Sequence, residues 1–435
     1  MTKLTYLDGF SKMSQDEKLN HLAKAVDDPD RFIEEMKSFR FSDASVQEQF
    51  EHFSENTISN FHLPFGIAPN FNIDGALYHI PMVIEESSVV AAAAKSAKFW
   101  YNKGGFQTVN ITTVKYGHIH FFWKGEKEEL YKLIDVLKKD LKKRMASITE
   151  SMEKRGGGIR EIWLSDKTYE LENYYQLGLS FETADSMGAN FINSVLEKAS
   201  NELEKEAEKT HPDKLEVIMS ILSNYAPESR ITIKLECPVK DLEDADTMLS
   251  AEQFAEKFQK AIDISLHSVS RAVTHNKGIM NGVDAVVMAT GNDFRAIEAG
   301  VHAFAIDKGR YTSLTKCNIE NGMFTYQLTI PLALGTVGGL TNLHPLASRS
   351  LEMLGNPSAK ELMKIVAAAG LANNFGAVRS LITTGIQQGH MKLHLENILM
   401  ALKPPDHIRA KAKETFRDRV VSYSEVKAFI EQNHG

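Results

Sequence analysis

The sequence predicts an α+β protein: a large, mostly helical domain, a small ferredoxin-like unit inserted into it, and a small helical appendage at the C-terminal end. Three observations carry that class. Residues 117–236 can be read as strand, helix, strand, strand, helix, strand, the βαββαβ order of the split-βαβ unit. Long apolar helical segments lie on both sides of this stretch. No G-x-G-x-x-G occurs anywhere, which argues against a doubly wound parallel sheet with a glycine-rich first turn.

Gly117 to Trp123 is a short β-rich run, and Glu128 to Arg144 follows with Leu130, Leu133, Ile134, Leu137 and Leu141 on one helical face. Ile159 to Leu164 is strand-like, and Leu177, Leu179 and Phe181 then alternate as a half-buried strand does. Helical spacing returns from about Ser186 to Glu208 through Ile192, Val195, Leu196, Ala199 and Leu203. Ile231, Ile233 and Leu235 alternate in the strand expected to close the unit. The domain boundaries are nonetheless drawn at 111–225 for the small unit, short of that last strand. The flanks, 1–110 and 226–384, hold Val89 to Phe99 and the alanine-rich Leu362 to Leu381 and are expected to pack together. The remainder, 385–435, is charged and is broken by Pro404 and Pro405.

A chain of 435 residues has room for two or three domains at ~150 residues each. Its 43% hydrophobic and 25% charged residues are those of a globular protein. Lys plus Arg number 50 against 57 for Asp plus Glu, a net charge of −7, so bulk electrostatics give no reason to expect nucleic acid. Cys237 and Cys317 have no metal-ligand spacing and read as structural thiols of a reducing compartment. Asp8, Lys12, Asp16 and Glu17 leave no signal-peptide core, and apolar runs such as Val89 to Ala94 and Ala285 to Ala289 fall short of the ~20 residues that span a bilayer. The expectation is a cytoplasmic protein with no membrane partner.

Several segments combine residues that chemistry could use. Arg271 to Glu298 places Lys277 and Asp293 in glycine-bounded polar turns at the two ends of a mostly apolar run, Val283 to Ala289. Brought together they would form a perturbed pair; apart they would be two solvated loop residues. In P-M-V-I-E-E-S-S-V-V-A-A-A, Pro81 to Ala93, two carboxylates precede a helix that Ser87 or Ser88 could cap. The acids could equally do no more than favour a helix N-terminus. A-D-S-M-G-A-N, Ala184 to Asn190, opens a helix with backbone N–H groups suited to a phosphate, or is an ordinary Asp cap. His390 and His394 in G-I-Q-Q-G-H-M-K-L-H invite a zinc reading, but no H-E-x-x-H or spaced third ligand accompanies them, so no metal is expected.

These motifs, in this order, resemble those of the hydroxymethylglutaryl-coenzyme A reductase family, specifically its soluble, bacterial, class II members. The resemblance runs from the first helix to about residue 400. E-N-T-I-S, Glu55 to Ser59, is similar to the family's E-N-V-I-G substrate loop, with Thr57 and Ser59 departing from it. Ser87 stands where the family usually has proline, and Ser186 replaces an alanine. I-L-S-N, L-A-N-N (Leu371 to Asn374) and G-T-V-G-G (Gly335 to Gly339) match further family segments.

The resemblance implies two-step reduction of the acyl-CoA thioester to mevalonate and CoA. It implies Glu86, Lys277, Asp293 and His390 as catalytic residues, with Lys277 on the oxyanion, Asp293 holding the lysine, His390 protonating the CoA thiolate and a protonated Glu86 completing aldehyde reduction. Ser88, Arg271, Asn281 and Asn373 are implied as substrate contacts. Asp185, Met187, Gly188, Asn190, Asn224 and Thr149 are implied for the nicotinamide cofactor. Thr149 stands where NADH-using members carry an aspartate, which favours NADPH, with Lys154 and Arg155 close by; Glu150 is adjacent, so NADH stays open. The implied domains are a large acyl-CoA-binding catalytic one, the small NAD(P)-binding insert and a C-terminal flap carrying His390. A homodimer with the active site at its interface is implied as the minimum assembly. The same site run in the oxidative direction, or a catalytically silent acyl-CoA or nucleotide-binding homologue, are the competing readings.

Overall fold

Each of the first three helices starts where a short polar side chain can cap it. Ser14 and Glu17 form a capping box ahead of α1 (Gln15–Ala23), Asp28 with Pro29 starts α2 (Pro29–Ser38), and Asp43 accepts from two backbone N–H groups at the start of α3 (Ala44–Glu51). The structure is a computed structural model that describes residues 6–243, 247–383, 395–396, 398–416 and 421–433. These three helices belong to one compact unit, Met1–Pro64, and the rest to a second, Phe65–Gly435. Within the first unit the 55–59 segment is tied down at its C-terminal end. Arg40 donates to the Ile58 carbonyl, and the Ser59 hydroxyl reaches the Met36 carbonyl at 2.6 Å. The left-handed residue there is Asn56, at φ 59°, so the family's glycine position makes no conformational demand that Ser59 fails to meet.

The second unit opens with β1 (Phe65–Ile73) and β2 (Ala76–Val83), an antiparallel hairpin turned by Asp74 and Gly75, both at positive φ. Helix α4 (Val89–Trp100) and β3 (Phe106–Ile111) follow. The chain then makes the small βαββαβ unit: β4 (Lys115–Trp123), α5 (Lys127–Glu153), β5 (Gly158–Asp166), β6 (Tyr174–Glu182), α6 (Ala189–Thr210) and β7 (Leu215–Ser223). Its sheet has the order β5-β6-β4-β7, antiparallel throughout. One face carries its own core of Ile119, Phe121, Leu137, Leu179, Leu196 and their neighbours.

The closing strand is β7, and not the Ile231, Ile233, Leu235 strand that alternation suggested. That strand, β8 (Arg230–Pro238), pairs instead with β3 in the larger sheet. Alternation reports one buried face and says nothing about which sheet supplies it. β7 went unnoticed because its pattern is irregular and none of its residues is fully buried.

After β8 come α7 (Ala251–His267), α8 (Val269–Ala289), α9 (Phe294–Phe304), the short pair β9 (Ile306–Asp307) and β10 (Arg310–Tyr311), and the hairpin β11 (Thr315–Glu320) and β12 (Met323–Pro331). Helices α10 (Leu340–Leu343), α11 (Pro345–Met353) and α12 (Ala359–Ile382) follow, then α13 (Asp406–Thr415) and α14 (Tyr423–Asn433). A six-stranded sheet of order β11-β12-β8-β3-β1-β2 therefore sits among helices that sequence periodicity had emphasised. Val89, Trp100, Phe258, Val283, Phe324 and Phe375 share its core. Cys237 and Cys317 are free and buried in that sheet, and burial pushes the Cys237 thiol up to about 11. Leu395, Leu399, Ile408, Val426 and Ile430 form a separate apolar cluster at the C-terminal end.

Two glycines decide how α8 meets α12. A Cβ on Gly282 would lie 2.4 Å from the Ala369 carbonyl oxygen, and one on Gly370 would lie 2.8 Å from the Val283 side chain. The glycines of N-K-G-I-M-N-G thus mark a helix crossing, and the Lys277 segment is helix interior where polar turns were expected. α12 is also long and apolar enough to cross a membrane, which the count of unbroken apolar runs missed; 72% of its apolar window is buried inside the protein. Gly282→Ala is expected to destabilise the fold by about 1–3 kcal/mol, since backbone must move to admit the methyl. A urea midpoint equal to wild type would disprove that contact.

Candidate active site

Strand β2 delivers Glu86 and Ser88 to the start of α4. Ser88 sits at the N-cap position but adopts φ 80°, and its hydroxyl makes no capping bond, contrary to the capping role the sequence suggested. A left-handed non-glycine residue costs about 1–2 kcal/mol and persists only when its surroundings hold it. Asn373, buried in α12, supplies one restraint: its amide donates to the Val89 carbonyl at 2.9 Å. Asn373 therefore supports this corner from behind, committing its amide to backbone.

Lys277 projects from α8 and donates to Glu86 Oε2 at 2.6 Å. The pair is half exposed, with 59% of the Lys277 side chain and 37% of Glu86 accessible. Asn281 lies one turn further along α8 and shares the Lys277 face. Arg271 is roughly 9 Å earlier along the same axis and about a third of a turn around it. Neighbouring α12 fixes the helix: the Asn374 amide donates to the His275 carbonyl at 2.7 Å, and the Tyr326 hydroxyl donates to the Asn374 carbonyl oxygen.

Asp293 does not meet Lys277 in this chain. It caps α9, accepting from the N–H groups of Arg295 and Ala296, and pairs with Arg295 at 3.4 Å. The rest of α8 beyond Lys277 spans ~18 Å. α9 then folds back so that Glu298 reaches Asp284, whose carboxyl is pushed up to about 8 by burial and by that neighbouring acid. Asp293 instead borders an open cleft of about 430 Å³ with Met187, Asn292, Gly335, Gly338 and Gly339.

That cleft unites the D-S-M-G-A-N and G-T-V-G-G segments. Gly335 lies so close to the loop that a Cβ would stand 2.3 Å from the Met187 nitrogen, and its own N–H donates to Asn292 at 2.9 Å. Gly188 is the N-cap of α6 at φ 88°, with no side-chain cap and no acid in the first turn, so the N–H groups of this turn are available to an anion. Asn190 is exposed in that first turn. Asp185 is not the cap of α6; its carboxylate accepts from the Ala359 N–H at the start of α12, 2.8 Å away. Asn224 is exposed and lines a narrow cleft beside Met187.

Thr149 is elsewhere. α5 continues to Glu153, past the expected end at Arg144, and its helical period turns Thr149 fully inward, where its hydroxyl reaches the Met145 carbonyl at 3.4 Å. The side chain cannot read a ribose phosphate. Glu150 is the exposed neighbour, paired with Lys154 at 2.7 Å. His390 and His394 fall outside the described residues.

A buried cation escaped the sequence analysis altogether. Lys115 occupies the first core-facing position of β4, in register with Gly117, Ile119, Phe121 and Trp123. Extending that alternation by one step would have flagged a lysine on an apolar face.

With this geometry in view, the family profile of hydroxymethylglutaryl-coenzyme A reductase matches residues 15–395. The 3-hydroxy-3-methylglutaryl-coenzyme A reductase of Archaeoglobus fulgidus is 35% identical over 429 residues, covering 98% of this chain and 94% of the relative. The chain belongs to the hydroxymethylglutaryl-coenzyme A reductase family. As a member of that family of oxidoreductases it also resembles solved structures along its length. A reductase from Streptococcus pneumoniae aligns with a TM-score of 0.73 at 33% identity, over 98% of this chain and 100% of that one. A class II structure from the same organism, described as bound to NADPH, aligns at 0.72 and 34% identity over 87% of this chain.

Two expectations follow from the geometry. Asn373→Ala should cost about 1–3 kcal/mol, the penalty of an unpaired buried carbonyl, and should lower activity through the displaced 86–89 segment; wild-type thermal stability would refute it. Thr149→Asp should destabilise the small unit by ~3 kcal/mol or more instead of reversing cofactor preference. A stable variant that switches to NADH would show that residue 149 does face the cofactor.

Proposed function

We propose that this chain reduces 3-hydroxy-3-methylglutaryl-CoA to mevalonate and CoA with two equivalents of NAD(P)H, NADPH being favoured. The observation that carries the reading is the 2.6 Å contact between Lys277 and Glu86 beside a Ser88 hydroxyl left free of capping. A cation, a carboxyl group and a hydroxyl converge where the family's catalytic motifs lie. The uncapped α6 N-terminus, with Gly188 packed against Thr183 and no room there for a Cβ, fits the diphosphate of a nicotinamide cofactor.

When bound, that cofactor supplies hydride to the thioester carbonyl and then to the aldehyde. Lys277 stabilises the oxyanion that each addition creates, a role that needs a fixed donor in place before charge develops. Glu86, hydrogen-bonded to Lys277, is the group that, in its protonated form, would deliver a proton to the same oxygen. His390 is the family's candidate for protonating the departing thiolate, which suits an imidazole near neutral pH. Ser88, Asn281 and Arg271 are the groups assigned to the hydroxymethylglutaryl end, Arg271 as a fork for carboxylate oxygens.

Asp293 shares a cleft with cofactor motifs and not with Lys277. A homodimer in which a second copy brings its Asp293 to this Lys277 resolves that separation, and it is the assembly we propose. The catalytic domain then comprises 1–110 with 226–384, the NAD(P) domain 111–225, and the flap 385–435, in a cytoplasmic enzyme.

Lys277→Ala should cut kcat by roughly 10²-fold or more while changing stability by less than ~1 kcal/mol, because the pair it breaks is half exposed. An assay at 340 nm with the acyl-CoA and each cofactor reads the first and a thermal melt the second; near-normal turnover rules out the lysine. His390→Gln should block thioester reduction and spare reduction of free mevaldehyde, which releases no thiolate. Equal loss on both substrates would make His390 structural.

A further inference from the structure

Lys115 is a charge placed where the rest of its strand face is apolar or small. The residue is 5% accessible, and its ammonium donates to the Thr183 hydroxyl at 2.6 Å and to the Ser186 carbonyl at 3.0 Å. The Thr183 hydroxyl donates its own hydrogen bond to the same carbonyl at 2.6 Å. Glu182 holds the other side of the turn, accepting from the N–H groups of Thr183 and Ala184 and from the Thr113 hydroxyl. Two residues of this turn are left-handed, Ala184 at φ 48° and Gly188 at φ 88°. The turn ends at the uncapped N-terminus of α6, and Lys115 also lines the narrow cleft that contains Met187 and Asn224.

We propose that Lys115 is a positioning residue for the nicotinamide cofactor: it locks the 183–188 turn in its anion-receiving shape and adds a positive charge behind the α6 N-terminus. This rests on the cofactor reading given above. A buried ammonium with two fixed acceptors is an expensive way to hold a turn, because desolvation opposes the charge. Thr183 would still satisfy the Ser186 carbonyl without it. The arrangement makes sense if the charge is used from outside the turn, where a phosphate would meet both it and the helix N-terminus.

Desolvation pulls the ammonium down to about 8, and Glu182 on β6 is the charge opposing that shift. The cleft that Lys115 lines is otherwise formed by uncharged residues, among them Ile192 of α6, Leu222 of β7 and Ala296 of α9. Lys115 is therefore charged at pH 7 and loses its proton as pH rises through about 8. The unfolded chain keeps that proton until about 10.5, so over this window the lysine's contribution to stability rises with pH while its pull on an anion falls. Stability and cofactor affinity move in opposite directions, which a purely structural lysine would not produce.

The test is a fluorescence titration of full-length wild type and Lys115→Met with NADPH and NADH between pH 7 and 9.5, with acyl-CoA KM, kcat and thermal melts alongside. Lys115→Met should raise the cofactor Kd on the order of tenfold at pH 7, leave the acyl-CoA KM unchanged, and melt at or above the wild-type temperature. Wild-type affinity should weaken through pH 8 and that of the variant should not. Equal affinities with matching pH profiles would overturn the role. So would a variant that melts early and loses affinity for both cofactor and acyl-CoA, since that is the behaviour of a structural group. A wild type that binds neither nicotinamide would remove the cofactor reading itself, and the lysine's role with it.

Discussion

Where α8 and α12 cross, Gly282 and Gly370 let two helix backbones approach without side chains between them, and the positions of several site residues follow from that approach. α12 reaches α8 through Asn374 and α4 through Asn373. Lys277 and Glu86, which stand on different elements, are thus referenced to one helix. Two buried amide-to-carbonyl bonds, Asn374 to His275 and Asn373 to Val89, support the elements that make their 2.6 Å contact. The exposed pair itself contributes little to stability. The rigidity lies in the core, and the site uses it.

The same helix α8 also separates what it carries. Lys277 projects from its middle and Asp293 follows its far end, so one chain presents an acid–cation pair at one place and an acid beside a cofactor-type cleft at another. A rigid rod cannot bring its own ends together. Chemistry that needs both groups at one substrate must find the second half outside the chain, which is the physical content of the proposed dimer.

Much of the fold was legible because its helices are strongly periodic. α5 and α6 follow directly from the spacing of Leu130, Leu133, Leu137 and of Ile192, Val195, Leu196. The sheets were less so. β8 alternates perfectly but belongs to the larger sheet, and β7 scarcely alternates but closes the small one. In the site, family motifs named Glu86, Lys277 and the D-S-M-G-A-N turn, while residue type alone left each with an ordinary alternative. Partners could not be read: Lys277 was expected on Asp293 and is found on Glu86. Glycine misled where it served helix packing instead of a turn. Thr149 misled because counting along a presumed loop ignores the direction a helix imposes. Lys115 was hidden by its neighbours, a single charged residue at the end of an apolar face.

Helix α12 combines a bilayer-length apolar segment with a position late in the chain. During synthesis the strands and helices that cover it, from β1 through β12, emerge before it does. The segment that would be most hazardous if left in water is thus made only after the elements that cover it have been synthesised, so that it can be enclosed as soon as it emerges. Moved to the front of the sequence, the same helix would have to wait, exposed, for every one of its partners. Gene order along the polypeptide is in this sense a safeguard against aggregation, and a circular permutation that placed α12 first would fold to the same contacts by a far more hazardous route.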